Sequence, residues 1–257
     1  MTSLPDMLKN LYRSLILPLL PTRPNADSFF PNQDSKPQIT GEWSKRFFSH
    51  KGLSTGKWWG YLPIYDEIVH WFKSVPREGV LLEIGVGGGG SLEIWRDCLA
   101  DTSTTVVGVD INPDCATLPL DGCEIYIGSQ SDSSLVHRII ADFGSIDVVI
   151  DDGSHEYRDQ IATLRALWPN ISTGGYYIIE DLHTSYWLGH GGFWGRRSTA
   201  IGLCKRLLDV MHKPYHRFRM APDLKLFENS LESILIRDSM MILRKSNRVV
   251  RVNDVRP

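Results

Sequence analysis

Short apolar runs alternate with stretches of helical periodicity through the middle of the chain. Runs at 80–84, 104–109, 124–127, 146–150 and 175–179 are rich in Val, Ile, Leu and Tyr. Runs of that length, apolar at nearly every position, predict strands buried on both faces. Helical patterns fall between or beside them, at 64–74, through 95–99, and at 135–143 and 157–168. Strand and helix in turn predict a parallel sheet with right-handed crossovers and helices on both faces. Beyond it, 199–211 predicts an amphipathic helix with Ile201, Cys204, Leu208 and Met211 as its apolar stripe. Two β-rich runs, 231–237 and 240–244, are parted only by Asp238-Ser239 and predict a tight antiparallel hairpin. The fold expected is α/β and Rossmann-like, with a mostly parallel seven-stranded sheet ending in that hairpin.

The flanks read differently. Leu4, Met7, Leu8, Leu11, Leu15 and Ile16 share one helical face, interrupted by Lys9 and Arg13 and ended by Pro18, Pro21 and Pro24. This helix is too short and too charged to span a bilayer. It suits docking to the domain or to a second copy in a homo-oligomer, with peripheral membrane contact as the alternative. Residues 18–40 read as an irregular linker. Residues 43–61 are aromatic and basic with Gly52, Gly56 and Gly60 as breakers, and suit a lid better than a regular element. The divisions expected are thus 1–40 (helix and linker), 41–75 (lid and entry helix), 76–247 (main domain) and 248–257 (tail).

Composition narrows the class only slightly. The 257 residues are 42% hydrophobic and 23% charged, ordinary for a globular protein. A net charge of −2 and the lack of a basic run give no reason to expect nucleic acid. Cys98, Cys115, Cys123 and Cys204 form no Cys-x-x-Cys pair, so a reducing cytoplasm is the default.

Where the first strand meets the first helix stands Glu83-Ile84-Gly85-Val86-Gly87-Gly88-Gly89-Gly90-Ser91. Glycines there let the backbone approach a ligand closely. Gly85, Gly87 and Gly90 satisfy the dinucleotide pattern, which alone is weak. The acid Glu83 just before the turn and the reversed terminal strand favour S-adenosylmethionine (SAM). Asp110, ending the second strand, is placed to accept hydrogen bonds from ribose hydroxyls. Ser129 and Gln130, after the third strand, are placed to meet the adenine edge. The expected cofactor set includes Glu83, Gly85, Gly87, Ser91, Asp110, Ser129 and Gln130.

Two acidic clusters end the fourth and fifth strands: Asp151-Asp152-Gly153-Ser154-His155 and Glu180-Asp181-Leu182-His183. In an open parallel sheet, strand carboxyl ends open onto one crevice. Carboxylates gathered there repel one another unless protonated or held by a cation, and oxygen ligands suit a hard dication such as Mg²⁺. The competing readings are helix capping by Asp151 and Asp152, and a solvated strand end for Glu180-Asp181. Asp151 reads as a SAM contact or a structural group. His183 is a rival base or a packed ring, and Tyr186 and Trp187 read either as a stacking surface for a sugar or as aromatic core.

The glycine turn, Asp-Asp-Gly-Ser-His and Glu-Asp-Leu-His-Thr-Ser-Tyr-Trp, in this order, resemble the Mg²⁺- and SAM-dependent sugar O-methyltransferases of macrolide and rhamnosyl natural products. The resemblance covers about 51–245 and is strongest between Glu83 and Trp187. It implies Asp152, Glu180 and Asp181 as metal ligands, His155 as the base, Tyr61 beside the cofactor, and a small glycosylated acceptor. The lid departs from the family pattern: His50-Lys51-Gly52 replaces an Asp-Lys-Gly segment, and Trp59 replaces the histidine two residues before Tyr61. The alternatives kept are methylation of a phenol or catechol, and a silent SAM-binding protein.

Overall fold

The structure is a computed structural model that describes residues 39–75 and 77–247. The chain divides into two compact units, Met1–Ile39 and Thr40–Pro257, and the architecture below is that of the second. The amino-terminal helix, most of the linker and the charged tail of the sequence reading lie outside the described residues.

Among the described residues two helices precede the sheet, α1 (Glu42–Ser49) and α2 (Leu62–Ser74). Then come β1 (Gly79–Ile84), α3 (Gly90–Leu99), β2 (Thr104–Asp110), β3 (Cys123–Ile127), α4 (Ser133–Phe143), β4 (Ile146–Asp151), α5 (Tyr157–Leu167) and β5 (Ile171–Ile179). Helix α6 (Ala200–Met211) and the hairpin β6 (Leu231–Arg237) and β7 (Met240–Lys245) complete the order. The seven strands lie in the order β3-β2-β1-β4-β5-β7-β6. The first five are parallel, and β7 runs antiparallel between β5 and β6.

The core explains why the strands carry no polar alternation. Leu82 and Ile84 pack into one apolar layer with Leu135, Ile161, Leu164 and Leu203, while Leu81 packs into the opposite one with Tyr65, Ile68, Ile94 and Trp95. Both faces of β1 are therefore buried. The register sets the next consequence. Ile84 pairs with Asp151 and Asp151 with Ile179, so β1, β4 and β5 end level with one another. The chain leaves β1 toward β2 and returns on the other side as β4, which makes the β1/β4 gap the switch point where ligands bind in such sheets.

Two expectations need correction. Residues 42–49 form a regular helix, because Trp43 is wholly buried and packs on Tyr65 and Trp95, with ring centroids 4.6 and 5.5 Å apart. Only 50–61 remains irregular. The buried face of α6 is Leu203, Cys204, Leu207 and Val210, with Leu208 45% exposed. The apolar residues run nearly all round this helix, so periodicity alone picked the wrong stripe.

The hairpin is fastened by a buried cation. Lys245 Nζ donates to the carbonyls of Trp168, Pro169 and Ile171 at 2.8–2.9 Å. Lys245→Met leaves three carbonyls without this donor and is expected to cost about 2–4 kcal/mol of stability, read by urea denaturation.

Candidate active site

A cavity of about 520 Å³ opens at the switch point. Its walls are the segment 54–57, the glycine turn, Asp110, 128–130, 152–155 and Asp181. Each wall has a local cause. Gly85 and Gly87 hold φ of +96° and +53°, and a Cβ on Gly85 would lie 2.1 Å from the Asp152 carbonyl oxygen. The turn thus needs glycine to pass so near the end of β4. Gly90 meets a different neighbour, since a Cβ there would fall 2.1 Å from the Leu53 carbonyl oxygen. Its smallness admits the protein's own 50–61 segment, whose Ser54 carbonyl accepts from Gly90 N at 3.1 Å.

Of the residues expected at the cofactor, Glu83, Gly85, Gly87, Ser91, Asp110, Ser129 and Gln130 line the cavity. Glu83 is 1% exposed, accepts from the Ser91 hydroxyl at 2.5 Å, and is raised in pKa by burial. Asp110 accepts from Gly87 N at 3.0 Å and Asn112 N at 2.8 Å, which fixes it at the rim. Gln130 divides its amide between neighbours, donating to Asp151 at 3.0 Å and accepting from Ser154 N at 2.8 Å.

Two of the expected cofactor residues stand elsewhere. Asp151 is fully buried beneath the cavity, where Tyr177 donates to it at 2.8 Å. Burial pushes its carboxyl up to about 7, against the hydrogen bonds from Tyr177 and Gln130. It braces the end of β4 against Tyr177 and Gln130 and does not line the cavity. Tyr61 is also buried, with its hydroxyl 2.8 Å from Asp181 Oδ1 and 3.2 Å from the Ser239 carbonyl. It steadies Asp181 from behind the wall.

The two acidic clusters converge. The level ends of β4 and β5 set Glu180 N donating to the Asp151 carbonyl at 3.0 Å. Asp152, His155 and Asp181 each offer one ligand atom, all within 4.8 Å of one another. His155 Nε2 lies 3.8 Å from Asp152 Oδ1 and 3.7 Å from Asp181 Oδ2. The capping alternative fails: the N-cap of α5 is Glu156, with no side-chain bond to the helix. His155 and Asp181 both adopt left-handed backbone, with φ of +55° and +54°. Non-glycine residues held so cluster at functional sites.

Glu180 turns the other way. Its carboxylate is 1% exposed, is hydrogen-bonded by the Tyr65 hydroxyl, and lies 3.1 Å from Lys57 Nζ. Burial pushes it up to about 8, with Lys57 opposing. The residues expected to hold the metal therefore split into a partly exposed pair, Asp152 and Asp181, and the buried Glu180, with Lys57 bound both to Glu180 and, at 2.5 Å, to Asp152 Oδ2. Two carboxylates beside an imidazole fit a hard dication such as Mg²⁺, and Glu180 can join them only by leaving Lys57.

On the outer side stands a wall of rings. Trp58 stacks on His183 at 4.9 Å, and Trp187 meets His183 edge-on at 4.5 Å. His183 Nδ1 is 2.6 Å from the Ser239 hydroxyl, and burial lowers its pKa. Tyr186 and Trp187 are 45% and 51% exposed, which excludes the aromatic-core reading. The 189–195 loop is tied down through Phe193 N, which donates to the Ser185 carbonyl at 2.9 Å.

Lys57, Tyr65 and Gln160 escaped the sequence reading. Tyr65 and Gln160 read as ordinary helix residues, although Gln160 donates to the Glu180 carbonyl at 3.4 Å. Lys57 sits in a segment rich in lysine and tryptophan and carries no motif.

Known proteins similar to this chain are methyltransferases. Residues 82–182 match a family model described as a methyltransferase domain. An 8-demethyl-8-(2-methoxy-alpha-L-rhamnosyl)-tetracenomycin-C 3'-O-methyltransferase of Streptomyces olivaceus is 37% identical over 69% of this chain and 46% of its own length. The mycinamicin VI 2''-O-methyltransferase of Micromonospora griseorubida is 34% identical over 68% and 44%. The chain thus spans about half the length of the curated relatives it matches. A structure of the MycE methyltransferase of mycinamycin biosynthesis, in complex with Mg and SAH, superposes with a TM-score of 0.66 at 28% identity, over 82% of this chain and 54% of that one. By sequence and by architecture, residues 82–182 are a methyltransferase domain, and the chain is similar to natural-product sugar O-methyltransferases over about half of their length.

Proposed function

We propose that this protein is a Mg²⁺-dependent O-methyltransferase that moves the methyl of SAM to a hydroxyl of a glycosyl group on a small natural product or glycoconjugate. One observation carries the reading: Asp152, Asp181 and His155 converge at the mouth of the cavity that the glycine turn opens. The similar MycE was solved with Mg and SAH, and in another structure with mycinamycin VI as well.

When bound, SAM supplies an electrophilic methyl and Mg²⁺ supplies Lewis acidity toward the acceptor hydroxyl. The chain's own groups do the rest. Asp152 and Asp181 would hold the dication, with Glu180 as a third ligand once freed from Lys57. Asp110 would hold the ribose hydroxyls. His155 Nε2 takes the acceptor's proton, a task its place beside both aspartates and the open cavity allows. Its Nδ1 is buried without a hydrogen-bond partner among the described residues, so Nε2 is the nitrogen left to work. Holding acceptor and methyl donor in one cleft contributes about 7–11 kcal/mol at best. Trp187, exposed beside this corner, offers a ring face to the apolar side of a sugar.

The setting follows from the same reading. All four cysteines are free thiols, which suits a reducing cytoplasm. Among the described residues no helix is long and apolar enough to cross a membrane. A homo-oligomer stays part of the proposal, and Trp194, Tyr215 and Phe218, each more than 70% exposed, are apolar side chains it would cover. Peripheral membrane contact through the amino-terminal segment stays part of the proposal, and nucleic acid has no place in it.

Turnover on a panel of glycosides is expected to stop with EDTA and return with Mg²⁺. Activity that persists in EDTA removes the metal from the mechanism. Methylation confined to the phenols and catechols of the panel moves the acceptor class, and tight SAM binding with no product favours a silent site.

A further inference from the structure

Lys57 brings a cation to the carboxylates from outside the sheet. Its Nζ lies 2.5 Å from Asp152 Oδ2, 3.1 Å from Glu180 Oε2 and 3.1 Å from Glu83 Oε1, with the side chain 3% exposed. The segment that carries it is fastened beside the glycine turn, where Leu53 N donates to Glu93 at 2.6 Å and Ser54 accepts from Gly90. Lys57 therefore joins the cofactor side of the cavity, through Glu83, to the metal side, through Asp152 and Glu180.

A dication and this ammonium want the same oxygens. Mg²⁺ requires carboxylate oxygens at about 2.0–2.1 Å and tolerates little distortion. Asp152 Oδ2 and both Glu180 oxygens are already hydrogen-bonded to Lys57. A positive charge so near also repels the incoming ion. Glu83 lies on the far side, held by Ser91 as well, and is the partner Lys57 can keep. Lysine suits such a role, being a compact charge on a flexible stem.

Resting on the metal reading above, we propose that Lys57 is a tethered counter-cation that holds Asp152 and Glu180 when no metal is bound and yields them to Mg²⁺ on loading. It is a positioning residue that sets the metal affinity, and it prevents the buried Glu83 and Glu180 and the partly exposed Asp152 from standing uncompensated before the ion arrives.

The test is Mg²⁺ titration by calorimetry, with thermal unfolding in EDTA and in Mg²⁺, on the wild type, Lys57→Met and Lys57→Arg. Lys57→Met is expected to bind Mg²⁺ at least roughly tenfold more tightly, to unfold at lower temperature in EDTA, and to recover in Mg²⁺ by more than the wild type does. Lys57→Arg keeps the charge and is expected to stay near the wild-type affinity and metal response. Folding of Lys57→Met only in the presence of Mg²⁺ also supports the proposal, and Lys57→Gln replaces it if it does not fold at all. Wild-type binding of Mg²⁺ with equal or weaker binding by Lys57→Met overturns the proposal and leaves the metal reading standing. No binding by either protein overturns both.

Discussion

His155→Ala is expected to lower turnover by roughly 10²–10⁴-fold, the usual worth of a positioned general base, while SAM affinity stays near the wild-type value. The separation of the two effects follows from geometry. The imidazole Nε2 sits at the open corner with Asp152 and Asp181, whereas the cofactor wall consists of the glycine turn, Glu83 and Asp110. The left-handed backbone at His155 complicates the alanine, so His155→Asn is the better partner variant, since asparagine tolerates that conformation. Both variants should lose turnover alike, with SAM binding measured by calorimetry. Near wild-type turnover in His155→Asn would hand the base role to another ring. His183 would be tested next, although its Nδ1 is engaged by Ser239 and its ring is stacked on Trp58.

Asp181→Asn should abolish the stabilisation that Mg²⁺ gives and lower turnover to a similar degree. Asparagine keeps the left-handed backbone and can still accept the Tyr61 hydrogen bond, so the change removes chiefly a charge. Charge stabilisation by a catalytic metal is worth several kcal/mol, and each 1.36 kcal/mol is a factor of ten, giving roughly 10²–10⁴ in rate. The deciding measurement is the shift in unfolding temperature on adding Mg²⁺, compared between wild type and variant. An unchanged shift in Asp181→Asn would remove this residue from the metal site. A lost shift with full activity would separate metal binding from catalysis.

Much of the frame was legible because it rests on local rules. Continuous apolar runs name strands buried on both faces, and a two-residue gap between β-rich runs names the hairpin. The glycine turn announces itself through residues that alone accept its backbone angles. Within the site, the two acidic clusters were legible from their place at the ends of β4 and β5, while the choice of Asp152, His155 and Asp181 within them rested on the family resemblance. The stripe on α6 was misread because apolar residues surround that helix, leaving periodicity little to select. The helix at 42–49 was hidden by its aromatics and nearby glycines, although Trp43 proves to be core.

Sequence alone determined which chain segments form the candidate site: strand order along the chain, a glycine turn after β1, and acids at two strand ends. Tertiary structure alone decided which way each acid faces. Successive side chains of a strand point to opposite faces, and here both faces are buried, so no polar contrast distinguishes Asp151 from Asp152. Only the packing of Tyr177 and Gln130 around the one, and of Lys57 beside the other, settles it. Lys57 and Glu180 stand 123 positions apart. Their pairing depends on the fold bringing a loop over the sheet, which no spacing along the chain encodes.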